Sequence, residues 1–155
     1  IHNQIDNFKL LIIGDGRLRK SLINLSNTLR LQKKIKFLGW KKNLNKYYAL
    51  SKVFLMSSVY EGLGNVLIDA VNFDLPIITT NCKSGPSEII CNGKAGFLVP
   101  VANPKLMSRK IVYVINNYKL AEKKALFAKK NISRFLVENN SKKYLSFLIE
   151  KFDAN

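Results

Sequence analysis

Histidine and cysteine are almost missing from this chain. His2 is the only histidine and stands in a terminal segment with no partner motif, so imidazole acid–base chemistry and nucleophile activation have no candidate. Cys82 and Cys91 are the only cysteines, too few for a disulfide framework or a four-thiolate zinc site, and they read as two reduced thiols. Long apolar runs are missing too. No stretch approaches the roughly 18 to 20 uninterrupted apolar residues of a membrane span, and the opening segment IHNQIDNFKLLIIGDG lacks the basic region, apolar region and cleavage site of a secretory signal. The expectation is a soluble, cytoplasmic chain that is not exported, with at most a peripheral contact to the cytoplasmic membrane face. Acidic residues are scarce: 10 Asp and Glu face 26 Lys and Arg, a formal charge of +16.

Such a field attracts phosphates, nucleic acids and anionic membranes. The basic set, however, is 21 Lys against 5 Arg, and it accompanies 17 Asn and 15 Ile. Sites that grip nucleic acid favour the planar arginine fork, so the bias reads as compositional and no specific nucleic-acid partner is expected. The length of 155 residues and the 47% hydrophobic content suit one globular domain with a sizeable core, and no second independent domain is expected.

Short apolar runs bounded by turn residues alternate with segments of helical period, which predicts an α/β domain with a parallel sheet. Strands are expected at Lys9–Ile13, Ile35–Leu38, Val53–Met56, Pro76–Thr79 and Gly96–Val99. Leu18, Leu22, Leu25 and Leu29 recur at three- and four-residue spacing, so Arg17–Leu31 is expected as an amphipathic helix. Further helices are expected at Asn43–Leu50, Asn65–Phe73, Pro86–Ile90 and, from Pro104 behind an Asn103 N-cap, to about Asn117. Two C-terminal helices follow near Lys119–Phe135 and Glu138–Phe152. The first strand starts so early that the sequence leaves no room for a preceding βα unit.

Two constellations carry possible chemistry. Gly14-Asp15-Gly16 follows the strand KLLII and precedes a helix. It is either a plain tight turn or a place where backbone amides approach a phosphate at a helix N-terminus. Arg19 stands where a dinucleotide fingerprint has its third glycine, and no acidic ribose ligand follows within twenty residues, which argues against that reading. The second segment, Ser57-Ser58-Val59-Tyr60-Glu61-Gly62-Leu63-Gly64-Asn65-Val66-Leu67-Ile68-Asp69-Ala70, leaves a strand, turns on glycines and enters a helix with two carboxylates eight positions apart. Glu61 in the loop and Asp69 one turn inside the helix can face one ligand over the helix start. Gly62 and Gly64 let the N–H groups of Leu63, Gly64, Asn65 and Val66 close on it. The bland alternative is that both carboxylates only complement the helix dipole and solvent.

The second segment resembles the E-x7-E signature of retaining glycosyltransferases of family 4, which have the GT-B fold. The IIGDG turn, Ile35-Lys36-Phe37-Leu38-Gly39, Leu75-Pro76-Ile77-Ile78-Thr79, Gly85-Pro86-Ser87-Glu88-Ile89-Ile90 and Gly96-Phe97-Leu98-Val99-Pro100 agree with that family in order, over about residues 9 to 117. The resemblance implies a Rossmann-like parallel sheet with flanking and C-terminal helices, one half of a GT-B enzyme. Residues 1–155 would be its nucleotide-sugar-binding C-terminal domain, with the N-terminal acceptor domain and first βα unit outside this chain. The implied activity is transfer of a sugar, with retention, from a UDP- or GDP-sugar to a glycan or lipid-linked acceptor.

By that resemblance Glu61 contacts donor-sugar hydroxyls and is the catalytic residue, a positioning group more than a nucleophile. The amides from Leu63 to Asn65 hold sugar and diphosphate. Asp69 binds the ribose, Gly14 and Gly16 border the diphosphate, and backbone near Trp40 meets the base. No cofactor and no obligatory metal are implied, and the sequence has no D-x-D pair. Two departures stand out. The family usually has Glu where Asp69 stands, and its diphosphate-binding Arg and Lys have no counterpart by motif here.

Other features have an ordinary reading first. Lys33, Lys34, Lys36, Lys41, Lys42 and Lys46, with Lys123, Lys124, Lys129 and Lys130, are expected as solvated faces, the alternative being attraction to anionic lipid headgroups. Trp40, Tyr47 and Tyr48 are expected in the core. Glu88 either caps a helical turn or touches ligand. The rival to a transferase half-site is a non-catalytic Rossmann-like module that binds nucleotide or polyanion without turnover.

Overall fold

The computed structural model describes residue 5 and residues 7–153; His2 lies outside the described residues. In chain order the elements are β1 Leu10–Ile13, α1 Arg19–Thr28, β2 Ile35–Gly39, α2 Asn45–Leu50, β3 Phe54–Met56, α3 Asn65–Asn72, β4 Ile77–Thr80, α4 Pro86–Ile89, β5 Phe97–Val99, α5 Pro104–Asn116, α6 Tyr118–Asn131 and α7 Val137–Asp153. Every expected element is present to within a few residues. Two short 3-10 turns, Cys91–Gly93 and Ile132–Phe135, are the additions, the second replacing the end of the helix expected to reach Phe135.

The chain is α/β, but its strands pair in two parallel sheets instead of the one expected: β1 with β2, and β3-β4-β5 with β4 central. The packing divides accordingly into two compact units, Ile1–Tyr47 and Tyr48–Asn155, with the division inside α2.

In the first unit Leu10 stands opposite Ile35 and Ile12 opposite Phe37. Helix α1 corrects the expected burial. Its leucine stripe is exposed, from 42% at Leu22 to 63% at Leu18, and the residue it buries is Ser26. The guanidinium of Arg19 donates to the Phe37 carbonyl of β2 at 3.5 Å. The period marks a helix correctly, but it does not say which face a two-stranded sheet receives.

In the second unit β4 is buried at all four positions, as a central parallel strand flanked on both faces should be. Ile78, Phe97, Val99, Val114 and Ala121 form a core cluster joined by Val53, Leu55, Met107 and Ile111. Each fully buried aliphatic side chain contributes about 1.5 to 3 kcal/mol. Helix α5 starts as expected: Asn103 Oδ1 accepts from the Leu106 N–H at 3.0 Å and Pro104 occupies the first turn. Two lysines of α6 are not free, contrary to expectation. Lys124 Nζ donates to the carbonyls of Gly93 and Lys94, and Lys129 Nζ donates to Asn72 O and pairs with Asp74 at 3.4 Å. Burial, and then the charge of Lys110, lowers the Lys124 ammonium from its usual range. Helix α7 is exposed along most of its length, including Val137, Tyr144 and Phe152. Among the described residues no helix is long and apolar enough to cross a membrane.

Candidate functional site

The loop that leaves β3 carries Glu61, and three residues ahead of it stands a hydroxyl. Ser58 Oγ donates to Glu61 Oε1 at 2.7 Å. Ser58 is itself tied to the neighbouring strand, because Thr80 Oγ1 at the end of β4 donates to the Ser58 carbonyl at 2.5 Å. One step further out, Tyr60 forms a parallel bridge with Lys83. A β-carbon on Gly85 would lie 2.2 Å from the Leu63 carbonyl oxygen. The loops after β3 and β4 are therefore fixed against each other at the C-terminal ends of adjacent parallel strands, where open α/β sheets receive ligands.

The loop ends on Gly64, the N-cap of α3, in the left-handed region at φ 83° and ψ 54°. A β-carbon there would meet only ordinary contact with Leu67 Cδ1 at 3.4 Å, so it is the backbone conformation that calls for glycine. Unlike α5, α3 has no side-chain cap, and its first turn carries no acidic residue. Its first amides are thus unclaimed by a cap, at the positive end of a helix, which is an arrangement suited to an anionic or hydroxyl-rich group. Leu63, Asn65 and Val66 are exposed around it, and Gly62 borders open space.

Asp69 sits one turn into α3 and is exposed. Its companion is Tyr48, which is buried at 6% exposure and stacks on Phe73 with centroids 5.3 Å apart. The Tyr48 phenol donates to the Val66 carbonyl at 3.4 Å. Burial, and secondarily the negative charge of Asp69, push this phenol up to about 12. Glu61 is thus held through Ser58 and β4, while Asp69 is near enough to Tyr48 for its charge to act on the phenol. Glu88 lies exposed in the first turn of α4, and its carbonyl accepts from Arg134.

In the first unit, Gly14 leaves β1 at φ 123° and its N–H donates to the Gly39 carbonyl at 2.9 Å. The Gly16 N–H donates to Asp15 Oδ1 at 2.8 Å. The turn thus holds its own amide on the Asp15 carboxylate. Trp40, just after β2, is 71% exposed and is not the core residue expected. Tyr48 is core and Tyr47 half-buried.

The sequence reading named Glu61, Gly62, Leu63, Gly64, Asn65, Val66 and Asp69 and missed what steadies them: Ser58, Thr80, Gly85 and Tyr48. A serine three positions before a loop carboxylate was a usable signal for the first, and the Gly-Pro pair at a helix start for the third. Among the described residues no three His, Cys, Asp or Glu side chains gather to hold a metal ion.

The profile of the family described as glycosyl transferases group 1 matches residues 1–131. The chain is 33% identical over 148 residues to the amylovoran biosynthesis glycosyltransferase AmsD of Erwinia amylovora, an alignment covering 96% of this chain and 41% of that protein. It is 32% identical over 140 residues to a Campylobacter jejuni N-acetylgalactosamine-N,N'-diacetylbacillosaminyl-diphospho-undecaprenol 4-alpha-N-acetylgalactosaminyltransferase, covering 88% of this chain and 38% of that one. The crystal structure of a Staphylococcus aureus TarM variant with fondaparinux, alpha-GlcNAc-glycerol and UDP superposes with a TM-score of 0.85 at 26% identity, over 94% of this chain and 30% of TarM. The chain thus spans less than half the length of each. Its mixed α/β architecture is that of GT-B glycosyltransferase domains.

Proposed function

The chain belongs to the glycosyl transferases group 1 family, and from that premise we propose that it is the donor-binding half of a retaining, family 4 type glycosyltransferase. The observation that carries the reading is Glu61, a carboxylate fixed by Ser58 three residues before an uncapped helix start. Amides at the start of α3 hold the donor diphosphate and sugar, Glu61 orients the sugar hydroxyls, and Asp69 binds the ribose. The roles of Gly14 and Gly16 at the diphosphate and of Trp40 at the base rest on the family resemblance.

Chemically, the bond between the sugar C1 and the diphosphate oxygen breaks and its electron pair leaves with the nucleotide. The acceptor hydroxyl forms the new bond on the same face of C1, and its proton passes to the departing phosphate oxygen. Negative charge grows on the diphosphate, so preorganised amides at a helix N-terminus are suitable catalysts. Glu61 acts by position and not as a covalent nucleophile. The donor is a UDP- or GDP-sugar and the acceptor a glycan or lipid-linked saccharide, a class supported by the name of the Campylobacter relative. No obligatory metal takes part, and the protein is cytoplasmic, with at most a peripheral contact to the membrane face.

The test incubates the complete protein with UDP- and GDP-sugars and polyisoprenyl-diphosphate-linked saccharides, with and without a chelator, and reads nucleotide release and the anomeric configuration of the product. Retention and indifference to chelator are expected. An inverted product, or no release from any donor, overturns the reading.

A further inference from the structure

The Glu61 carboxylate does not hold its own position. It is on a loop, half-exposed, and a glutamate there has three rotatable side-chain bonds to lose before it can orient a sugar. Ser58 Oγ takes one of its oxygens, Oε1, at 2.7 Å and leaves the other for a ligand. The serine is in turn fixed through its backbone carbonyl, which accepts the hydroxyl of Thr80 at 2.5 Å. Thr80 lies on the central strand of its sheet and is 3% exposed. A chain of contacts therefore runs from the buried end of β4, through the Ser58 backbone and hydroxyl, to the carboxylate.

We propose that Ser58, held by Thr80, is the positioning residue that sets the orientation of the Glu61 carboxylate toward the donor sugar. The inference rests on the role of Glu61 given above. Ser58 touches no reacting atom in this account; it narrows Glu61 to one arrangement before substrate arrives. Its contribution belongs to the transition state and not to nucleotide binding, which falls to α3 and Asp69. Displacing a positioned group by about an ångström costs up to about a hundredfold in rate, and that is the scale on which losing the Ser58 hydroxyl is felt.

The experiment uses the complete protein and whichever of a panel of UDP- and GDP-sugars it turns over fastest. Ser58→Ala is expected to lower kcat about ten- to a hundredfold while UDP or GDP affinity by calorimetry and the thermal midpoint stay near wild type. Ser58→Thr keeps the hydroxyl and is expected to restore most of kcat. Glu61→Ala supplies the control: in that background Ser58→Ala is expected to cost nothing further, because contacting residues that act as a unit are not additive. Thr80→Val probes the inner end of the chain and is expected to resemble Ser58→Ala more weakly. Wild-type kcat in Ser58→Ala, or a Ser58→Ala effect undiminished without Glu61, overturns the positioning role and leaves the proposed function standing. Wild-type activity in Glu61→Ala removes the catalytic assignment itself. A uniform fall in nucleotide affinity and thermal midpoint in Ser58→Ala, unrescued by Thr, makes the contact structural only and also overturns the proposal.

Discussion

Gly85 and the Leu63 carbonyl stand so close that any β-carbon at position 85 would meet that oxygen at 2.2 Å. Gly85 also has a φ of 83°. Two separate conditions thus demand glycine, and together they clamp the loop after β4 onto the loop that carries Glu61.

Gly85→Ala is therefore expected to be costly and local. Overpacking costs about 1 to 3 kcal/mol, and a non-glycine residue in strained backbone adds of order 1 to 3. Part of this will relax by moving the Leu63 segment, which displaces the Glu61 loop. Urea unfolding of the complete protein should show a loss of about 3 kcal/mol, and kcat should fall with it. An alanine variant of wild-type stability and rate would show that the two loops are not clamped.

Tyr48 gives a pH dependence with a definite sign. Its phenol is raised from 10.0 to about 12 by burial and by Asp69, and the neutral form is the one that the folded state accommodates. The stabilisation is fully present below the unfolded value of 10.0 and is lost as pH climbs through about 12. Tyrosinate absorbance should show Tyr48 and Tyr118 titrating above the usual range, with stability declining as the Tyr48 step is passed, and Tyr48→Phe should remove the step near 12. A step near 12 that survives in Tyr48→Phe would assign the raised value to another tyrosine.

How much of this was legible in the sequence differs by level. The order of strands and helices followed from period and turn residues, because those are local properties. The Glu61 to Asp69 spacing was legible for the same reason. Pairing was not: five apolar runs do not state that they divide into two sheets, and the leucine stripe of α1 does not state that Ser26 and not Leu22 is the buried side. Thr80 on Ser58, Gly85 against Leu63 and Tyr48 beside Asp69 join residues 21 or 22 positions apart, and no short window on the sequence brings such partners together. The lysines show the same limit, since Lys124 and Lys129 look like their neighbours in sequence yet cap carbonyls.

The remaining exposed lysines, among them Lys41, Lys42, Lys46, Lys123 and Lys130, predict weak and nonspecific attraction to anions. Exposed charges are screened beyond about 8 Å at physiological salt. Binding to anionic vesicles or to DNA should therefore fall steeply between low and physiological salt, without sequence preference in the DNA. Sequence-selective binding that persists at high salt would point to a nucleic-acid site instead.

The two carboxylates should separate by experiment, since one accepts from Ser58 and the charge of the other acts on Tyr48. If Glu61 orients the sugar in the transition state, Glu61→Gln lowers kcat strongly and leaves nucleotide affinity nearly unchanged. Asp69→Asn acts on the ground state as well. A charge-assisted hydrogen bond to ribose hydroxyls is worth about 1.5 to 3 kcal/mol, so UDP or GDP affinity should fall about ten- to a hundredfold. Asp69→Glu, the residue usual in the resembling family, should retain binding, because α3 leaves this position exposed and has room for a further methylene. Calorimetric titration of the complete protein beside steady-state kinetics distinguishes the three variants. Unchanged nucleotide affinity in Asp69→Asn would return that carboxylate to a solvated place on the helix, while a Glu61→Gln variant that binds weakly but turns over at the wild-type rate would reverse the two roles.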